Sequence, residues 1–244
     1  MTHRGNLAAA AEANIASLRQ NRYPGRGIII GMTPDGTRMM QVYWIMGRSE
    51  NSRNRIFAAE PDGSVRTAAR DPAKLADPSL IIYYPVRQVG DAHIVTNGDQ
   101  TDTIAEAIAS GGTFEDALRT RTFEPDAPNY TPRISGIVRL GDPAAAYRLA
   151  ILKTNLGDPA QTQRHFFTYE KPLAGFGHLI HTYAGDGDPL PSFEGEPKPV
   201  PLMDGAEETL EYYWRLLDKD NRISLLVKTI PLDGGKPEIV IRNR

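Results

Sequence analysis

The sequence predicts an α+β fold with antiparallel sheets, and three observations carry that prediction. Strand-length apolar runs come in pairs joined by turns, at Pro34-Asp35-Gly36 and Pro61-Asp62-Gly63. Helical segments lie between runs of hairpins and do not alternate with single strands, which argues against a doubly wound parallel sheet. No linker, internal repeat or low-complexity stretch divides the 244 residues. Residues 23–244 therefore read as one domain, preceded by a helical extension over 1–22.

Each element has its own local cause. Residues 6–21 read as a helix because Leu7, Ala11, Ile15 and Leu18 recur at spacings of three and four. Tyr23-Pro24-Gly25-Arg26 ends that helix, and the apolar run over 27–32 reads as a strand. After the first turn, a return strand over 38–46 places Met40, Val42, Trp44 and Met46 on one face. A polar loop over 47–55 leads to a strand over 56–59, the second turn and a strand near Val65. Further strands are expected over 80–84, 93–96, 134–140, 147–152, 165–169 and 178–183. A helix over 103–119 is interrupted at Gly111-Gly112. Residues 185–201, rich in Gly, Pro and Asp, read as a long surface loop. A helix over 206–217 and strands over 223–230 and 238–241 close the chain.

Composition narrows the function. Hydrophobic residues at 40% and charged residues at 24% are ordinary for a soluble protein. A net charge of −2 gives no electrostatic reason to bind nucleic acid. Cysteine is absent, which excludes disulfides, thiolate nucleophiles and Cys-held metals. No apolar run approaches the ~20 residues of a membrane span, and the start is alanine-rich and polar, so a cytoplasmic protein without a membrane partner is expected. Arg outnumbers Lys by 21 to 7. GC-rich codon usage is the bland explanation; recognition of phosphate or carboxylate by the guanidinium fork is the functional one.

Familiar motifs are missing. Of the five histidines, His178 and His181 are closest, but in a strand that spacing turns them to opposite faces. There is no His-Glu-x-x-His and no acidic calcium loop, so no catalytic metal is expected. Phosphate-loop, dinucleotide and serine-hydrolase signatures are also absent.

Five polar stretches stand out at strand ends: Tyr23-Pro24-Gly25-Arg26, Arg48-Ser49 with Arg53-Asn54-Arg55, Tyr83-Tyr84-Pro85, Asn97-Gly98-Asp99-Gln100-Thr101-Asp102, and Asn129-Tyr130-Thr131-Pro132-Arg133-Ile134. In this order the chain resembles the archaeal-type IMP cyclohydrolase family over roughly residues 23 to 183. The resemblance implies a four-layer αββα sandwich like that of the N-terminal nucleophile hydrolases. It also implies a cofactor-free reaction, closure of 5-formamidoimidazole-4-carboxamide ribonucleotide to inosine monophosphate (IMP) with loss of water, and a homo-oligomer. Two departures matter. The Tyr-x-Gly-Arg motif lies behind a helical extension, and no Ser, Thr or Cys occupies the place of a terminal nucleophile, where Tyr23 stands instead.

Such a reaction needs one base, one acid and fixed donors for phosphate and oxyanion. Arg26, Arg48, Arg55 and Arg133 are the expected substrate-binding cations, with Thr101 beside them. Tyr83 is the expected proton donor, its neighbour Tyr84 facing away on the same strand. Asn97 suits a carboxamide, although Asn-Gly is also a common hairpin turn. Asp99 is the expected base, and Asp102 doubles as a cap for a helix starting at Thr103. Tyr23, a phenol of ordinary pKa ≈ 10, would act as a hydrogen-bond donor. Two other readings stand beside this one: an enzyme of the same fold acting on another nucleotide or amide, and a noncatalytic nucleotide-binding protein.

Overall fold

The structure, a computed structural model, describes residues 3–75, 78 and 81–244. Helix α1 (His3–Gln20) leads into the hairpin β1 (Gly27–Met32) and β2 (Arg38–Met46). A single-turn helix α2 (Glu50–Arg53) precedes the hairpin β3 (Arg55–Ala59) and β4 (Val65–Ala69), and a 3₁₀ turn (Pro72–Lys74) follows. Next come β5 (Val86–Val89), β6 (Ala92–Thr96), α3 (Gln100–Ala109) and α4 (Phe114–Arg119). Strands β7 (Arg133–Arg139), β8 (Tyr147–Asn155), β9 (Asp158–Tyr169), β10 (Phe176–His181) and β11 (Lys198–Pro201) continue the chain. Helix α5 (Ala206–Leu216), β12 (Arg222–Pro231) and β13 (Glu238–Asn243) close it.

The strands form two antiparallel sheets, ordered β11-β10-β1-β2-β12-β13 and β3-β4-β5-β6-β7-β8-β9. Alternation along a strand then decides what each side chain touches. In β2, Met40, Val42, Trp44 and Met46 pack with Ile15 and Leu18 of α1 and Leu210 and Tyr213 of α5. The intervening Met39, Tyr43 and Ile45 face the second sheet and meet Phe57, Val95 and Ile134. On that sheet's other face, Ala92 and Ile94 pack with Ile104 of α3 and Phe114 and Leu118 of α4. Both central strands are therefore apolar on both faces, which is why 27–32 and 38–46 read as near-continuous hydrophobic runs.

The structure corrects several sequence expectations. No strand spans 81–84, and Leu80 lies outside the described residues. Thr67 holds that segment instead: its hydroxyl donates to Ile81 O (2.6 Å) and accepts from the Tyr83 N–H (2.8 Å). Strand β5 was hidden by Arg87 and Gln88, which interrupt its apolar pattern. The expected loop over 185–201 ends in β11, an edge strand whose Pro199 and Pro201 lower its strand signal yet are tolerated where one side needs no ladder partner. Helix α3 starts at Gln100 and not at Thr103, so Asp102 lies inside its first turn, paired with Arg87 at 3.2 Å.

One polar group sits deep between the sheets. Lys228 of β12 is 1% exposed and lies opposite Gln41 of β2. Gln41 donates to the His93 carbonyl (2.9 Å), but Lys228 Nζ, Gln41 Oε1 and His93 Nδ1 have no hydrogen-bond partner among the described residues. Burial pushes the Lys228 amine down to about 8, and burial with the Lys228 charge pushes His93 down to about 3. A lysine whose pKa falls on folding weakens the native state at low pH, and the penalty fades as pH rises from about 8 to its ordinary value near 10.5. Lys228→Met is therefore expected to stabilise the protein by about 2–3 kcal/mol at pH 7 and to flatten the rise in stability between pH 8 and 10. Urea unfolding at several pH values measures both effects; a destabilised variant would contradict this reading.

Candidate active site

In an antiparallel sheet, neighbouring strands begin and end at the same edge. The starts of β1 and β7 thus lie beside the ends of β2, β6 and β10: Gly27 is paired with Trp44 and His181, and Thr96 with Ser135. The start of β3 joins them, because Arg55 Nη2 donates to the carbonyl of Met46 at 3.2 Å. The polar motifs of the sequence consequently converge at one end of the two-sheet stack.

Gly25 shapes the first wall. Its φ is +72°, and a Cβ there would lie 2.1 Å from Thr182 Oγ1 and 2.5 Å from the Tyr183 ring. Only glycine lets the chain pass so close, and Arg26 N then donates to Thr182 Oγ1 at 3.1 Å. The Arg26 side chain points inward, with Nη2 3.4 Å from Glu124 Oε2, and the Glu124 side chain is 2% exposed. Arg55 is as deeply buried; its Nε donates to Ser52 O at 2.8 Å. Arg26 Nε and Arg55 Nη1 are buried donors with no acceptor among the described residues. Such donors are costly unless something accepts from them.

Two phenols complete the interior. The hydroxyls of Tyr83 and Tyr43 are 2.7 Å apart, both buried. Tyr23 stacks on Tyr183 with ring centres 5.8 Å apart, and the Tyr183 hydroxyl shares a 2.5 Å hydrogen bond with Thr131. At the rim, the Arg48 guanidinium lies 4.9 Å from the Tyr23 ring centre and is tethered to Asp186 (2.5 Å) and the Gly187 carbonyl (3.1 Å). Arg133 donates to Asp99 (2.6 Å) and to Gln100 (2.7 Å), and Asp99 also pairs with Arg121.

The electrostatics sort these groups by role. Burial opposes the charge on Arg26, but Glu124 and the surrounding phenols outweigh it, so its pKa lies well above the ordinary value. Burial and the neighbouring Arg26 hold Arg55 below its ordinary value, although a guanidinium stays protonated at neutral pH. Burial pushes the Glu124 carboxyl up, opposed by Arg26 and Arg133. It likewise pushes up Tyr43 and Tyr83, so both phenols are neutral. Burial works against ionisation of Asp99, yet hydrogen bonds from Arg121 and the charge of Arg133 win and hold it below the usual carboxylate range. Three guanidiniums (Arg26, Arg55 and Arg133) thus stand among three carboxylates, Glu124, Asp99 and Asp126, the last accepting from the Thr131 N–H and hydroxyl.

Among the residues singled out in the sequence, Arg26, Arg55, Tyr83, Tyr23 and Arg133 are brought together here, with Arg48 and Asp99 on the rim. Asn97 and Thr101 are fully buried behind them. Asn97 bridges Pro132 O and the Ile134 N–H, both at 2.9 Å, and Thr101 bonds to Thr96 at 2.6 Å. Sequence reasoning missed Glu124, Tyr43 and Tyr183. Tyr43 and Tyr183 look like strand-core aromatics, and Glu124, between Phe123 and Pro125, has no local signal. A cavity of about 650 Å³ is lined by Asn129, Tyr130, Lys153, Ala184, Leu190 and Ser192, and by none of the cluster's own side chains. Its size suits a small-molecule ligand. No group of three or more His, Asp or Glu side chains among the described residues is placed to hold a metal ion.

Buried guanidiniums thus stand beside a buried carboxylate and two neutral phenols at one end of the sheets. Residues 23–235 match the family described as IMP cyclohydrolase-like protein, and the chain belongs to that family. It is 31% identical over 164 residues to the IMP cyclohydrolase of Methanopyrus kandleri, covering 66% of this chain and 75% of that one. It is 34% identical over 120 residues to the IMP cyclohydrolases of Methanococcus maripaludis and Haloquadratum walsbyi, covering 48% of this chain and 58% and 56% of theirs.

The Gly25 contact yields a direct check. Gly25→Ala combines a disfavoured φ with a clash against Tyr183, so it should cost more than about 1 kcal/mol and lower Tm by at least about 2 °C. An unchanged melting temperature would mean that the chain does not pass against Tyr183 as described.

Proposed function

We propose that the protein is an IMP cyclohydrolase, closing the ring of 5-formamidoimidazole-4-carboxamide ribonucleotide to IMP with loss of water. The observation that carries this reading is the pair of buried guanidiniums with open N–H donors, set beside Glu124 and Tyr83. In the first half-reaction the carboxamide nitrogen bonds to the formyl carbon and gives up one of its two protons. Glu124 is the base: burial raises its carboxyl above the ordinary range, while Arg26 favours its ionised form. The formyl oxygen takes a proton from Tyr83. In the second half Glu124 passes its proton back to Tyr83, which gives it to the hydroxyl so that water leaves, while Glu124 takes the formamido N–H proton and the C=N bond forms; a last transfer from Glu124 to Tyr83 restores both groups. Because nucleophile and electrophile belong to one molecule, positioning supplies much of the acceleration.

Arg26 Nε and Arg55 Nη1 receive the anionic oxygens of the substrate, and Arg48 is placed at the rim to meet a phosphate carrying about −1.5 to −2 charges. Asp99 is a weaker base than Glu124, because Arg121 and Arg133 hold its pKa down; its role is to fix Arg133. Asn97 and Thr101 brace the strand ends that carry Asp99 and Arg133. Tyr23 is the platform on which Arg48 rests. The packing of helices on the outer faces of both sheets supports the likeness to N-terminal nucleophile hydrolases, with Tyr23 in the place of their nucleophile. A homo-oligomer and a cytoplasmic location come with the family likeness; no helix among the described residues is long and apolar enough to cross a membrane.

The test is turnover of the formamido ribonucleotide by purified protein, followed by absorbance and chromatography of IMP. Glu124→Gln and Tyr83→Phe should each lower kcat by roughly 10²–10⁴-fold while IMP still binds. A base must be ionised to act, so kcat should fall with decreasing pH at a value above the ordinary Glu range near 4.3, and Glu124→Gln should abolish that limb. Binding of IMP without turnover would favour a noncatalytic nucleotide-binding protein instead.

A further inference from the structure

Tyr43 belongs to the core by every local measure, yet its hydroxyl makes a single hydrogen bond, 2.7 Å to Tyr83. Its ring is wedged against Phe57 at 5.4 Å and is fully buried. A phenol has one proton to give, and the Tyr43 hydroxyl makes no other hydrogen bond among the described residues. Neither hydroxyl has another partner among the described residues, but Tyr43 is fully enclosed and Tyr83 is 6% exposed, so donation by Tyr43 leaves the free proton on the more accessible phenol. The Tyr83 proton then cannot return along the same line and must point elsewhere. The charged groups acting on the pair are Arg26 and Arg55, which have no acceptor atoms, and Glu124.

We propose that Tyr43 is a positioning residue: by donating to the Tyr83 oxygen, it directs the Tyr83 proton toward the substrate oxygen. This rests on the cyclohydrolase reading above and deepens it. The step balances within the site: the O–H bond of Tyr83 breaks as its proton joins the formyl oxygen. The phenolate left behind keeps the hydrogen bond from Tyr43, which is shorter and stronger to an anion than to a neutral oxygen. The proton that Glu124 took from the carboxamide nitrogen returns to Tyr83 and resets the pair.

Tyr43→Phe keeps the ring against Phe57 and removes only the hydroxyl. It is expected to lower kcat about tenfold, the loss of one hydrogen bond to a developing charge, with KM and IMP affinity within twofold of the parent. In a Tyr83→Phe background the same substitution should cost nothing further, because the group it directs is gone. Equal losses in both backgrounds would mean that Tyr43 only packs, and would overturn the proposal. A readout independent of turnover is the 13Cζ resonance of Tyr83 in tyrosine-labelled protein, which should move when the Tyr43 hydroxyl is removed. If the parent turns over no formamido ribonucleotide, the cyclohydrolase reading fails while this resonance still tests the hydroxyl pair. If Tyr43→Phe does not fold, 3-fluorotyrosine at position 43, a stronger donor, should shift the Tyr83 resonance; an unmoved resonance overturns the proposal.

Discussion

Two guanidiniums buried side by side are the feature on which the end of this molecule turns. Arg26 and Arg55 repel each other, and both are removed from water, so each must be held by fixed partners. Glu124 neutralises one, while backbone carbonyls of Ser52 and Met46 hold the other. The partners come from the end of β2, from α2 and from the segment before β7. An antiparallel arrangement of two stacked sheets is what allows elements so distant in sequence to meet at one edge. Arg26 Nε and Arg55 Nη1 remain without an acceptor among the described residues, and they are the donors that the proposed reading assigns to an anionic ligand.

The rest of the site reads as support for that pair. Gly25 lets the chain turn tightly against Tyr183 so that Arg26 points inward. Asn97 ties the turn after β6 to the start of β7, which sets Arg133 and Asp99 opposite each other. Tyr23 and Tyr183 form a stacked wall, and Arg48 closes the rim by reaching the loop that carries Asp186. Burial keeps the phenols neutral and raises the carboxyl of Glu124. The same cause therefore acts on both groups that the proposed reaction uses as acid and base.

Much of the fold was legible in the sequence, because β1, β2 and β12 carry largely apolar runs and their turns are marked by glycine. Strands β5 and β11 were not, since Arg87 and Gln88 in one and two prolines in the other hide a strand that neighbours stabilise. Residues 81–84 misled in the opposite direction, as an apolar run held by the Thr67 hydroxyl in place of a ladder. In the site, Arg26, Arg55, Tyr83 and Arg133 stood out through their motifs. Glu124 and Tyr43 did not, because their importance comes from side-chain contacts across the space between sheets. Asn97 and Thr101 were singled out for chemistry, although their buried hydrogen bonds are to neighbouring backbone and side chains of the strand ends.

A crystal structure of the protein with IMP tests the anion site most directly. The expected result is an oxygen of the nucleotide within hydrogen-bond distance of both Arg26 Nε and Arg55 Nη1, with the purine ring beside Tyr83 and Glu124. A nucleotide seated wholly in the neighbouring cavity by Asn129 and Lys153, leaving both arginine donors without an acceptor, would contradict the account.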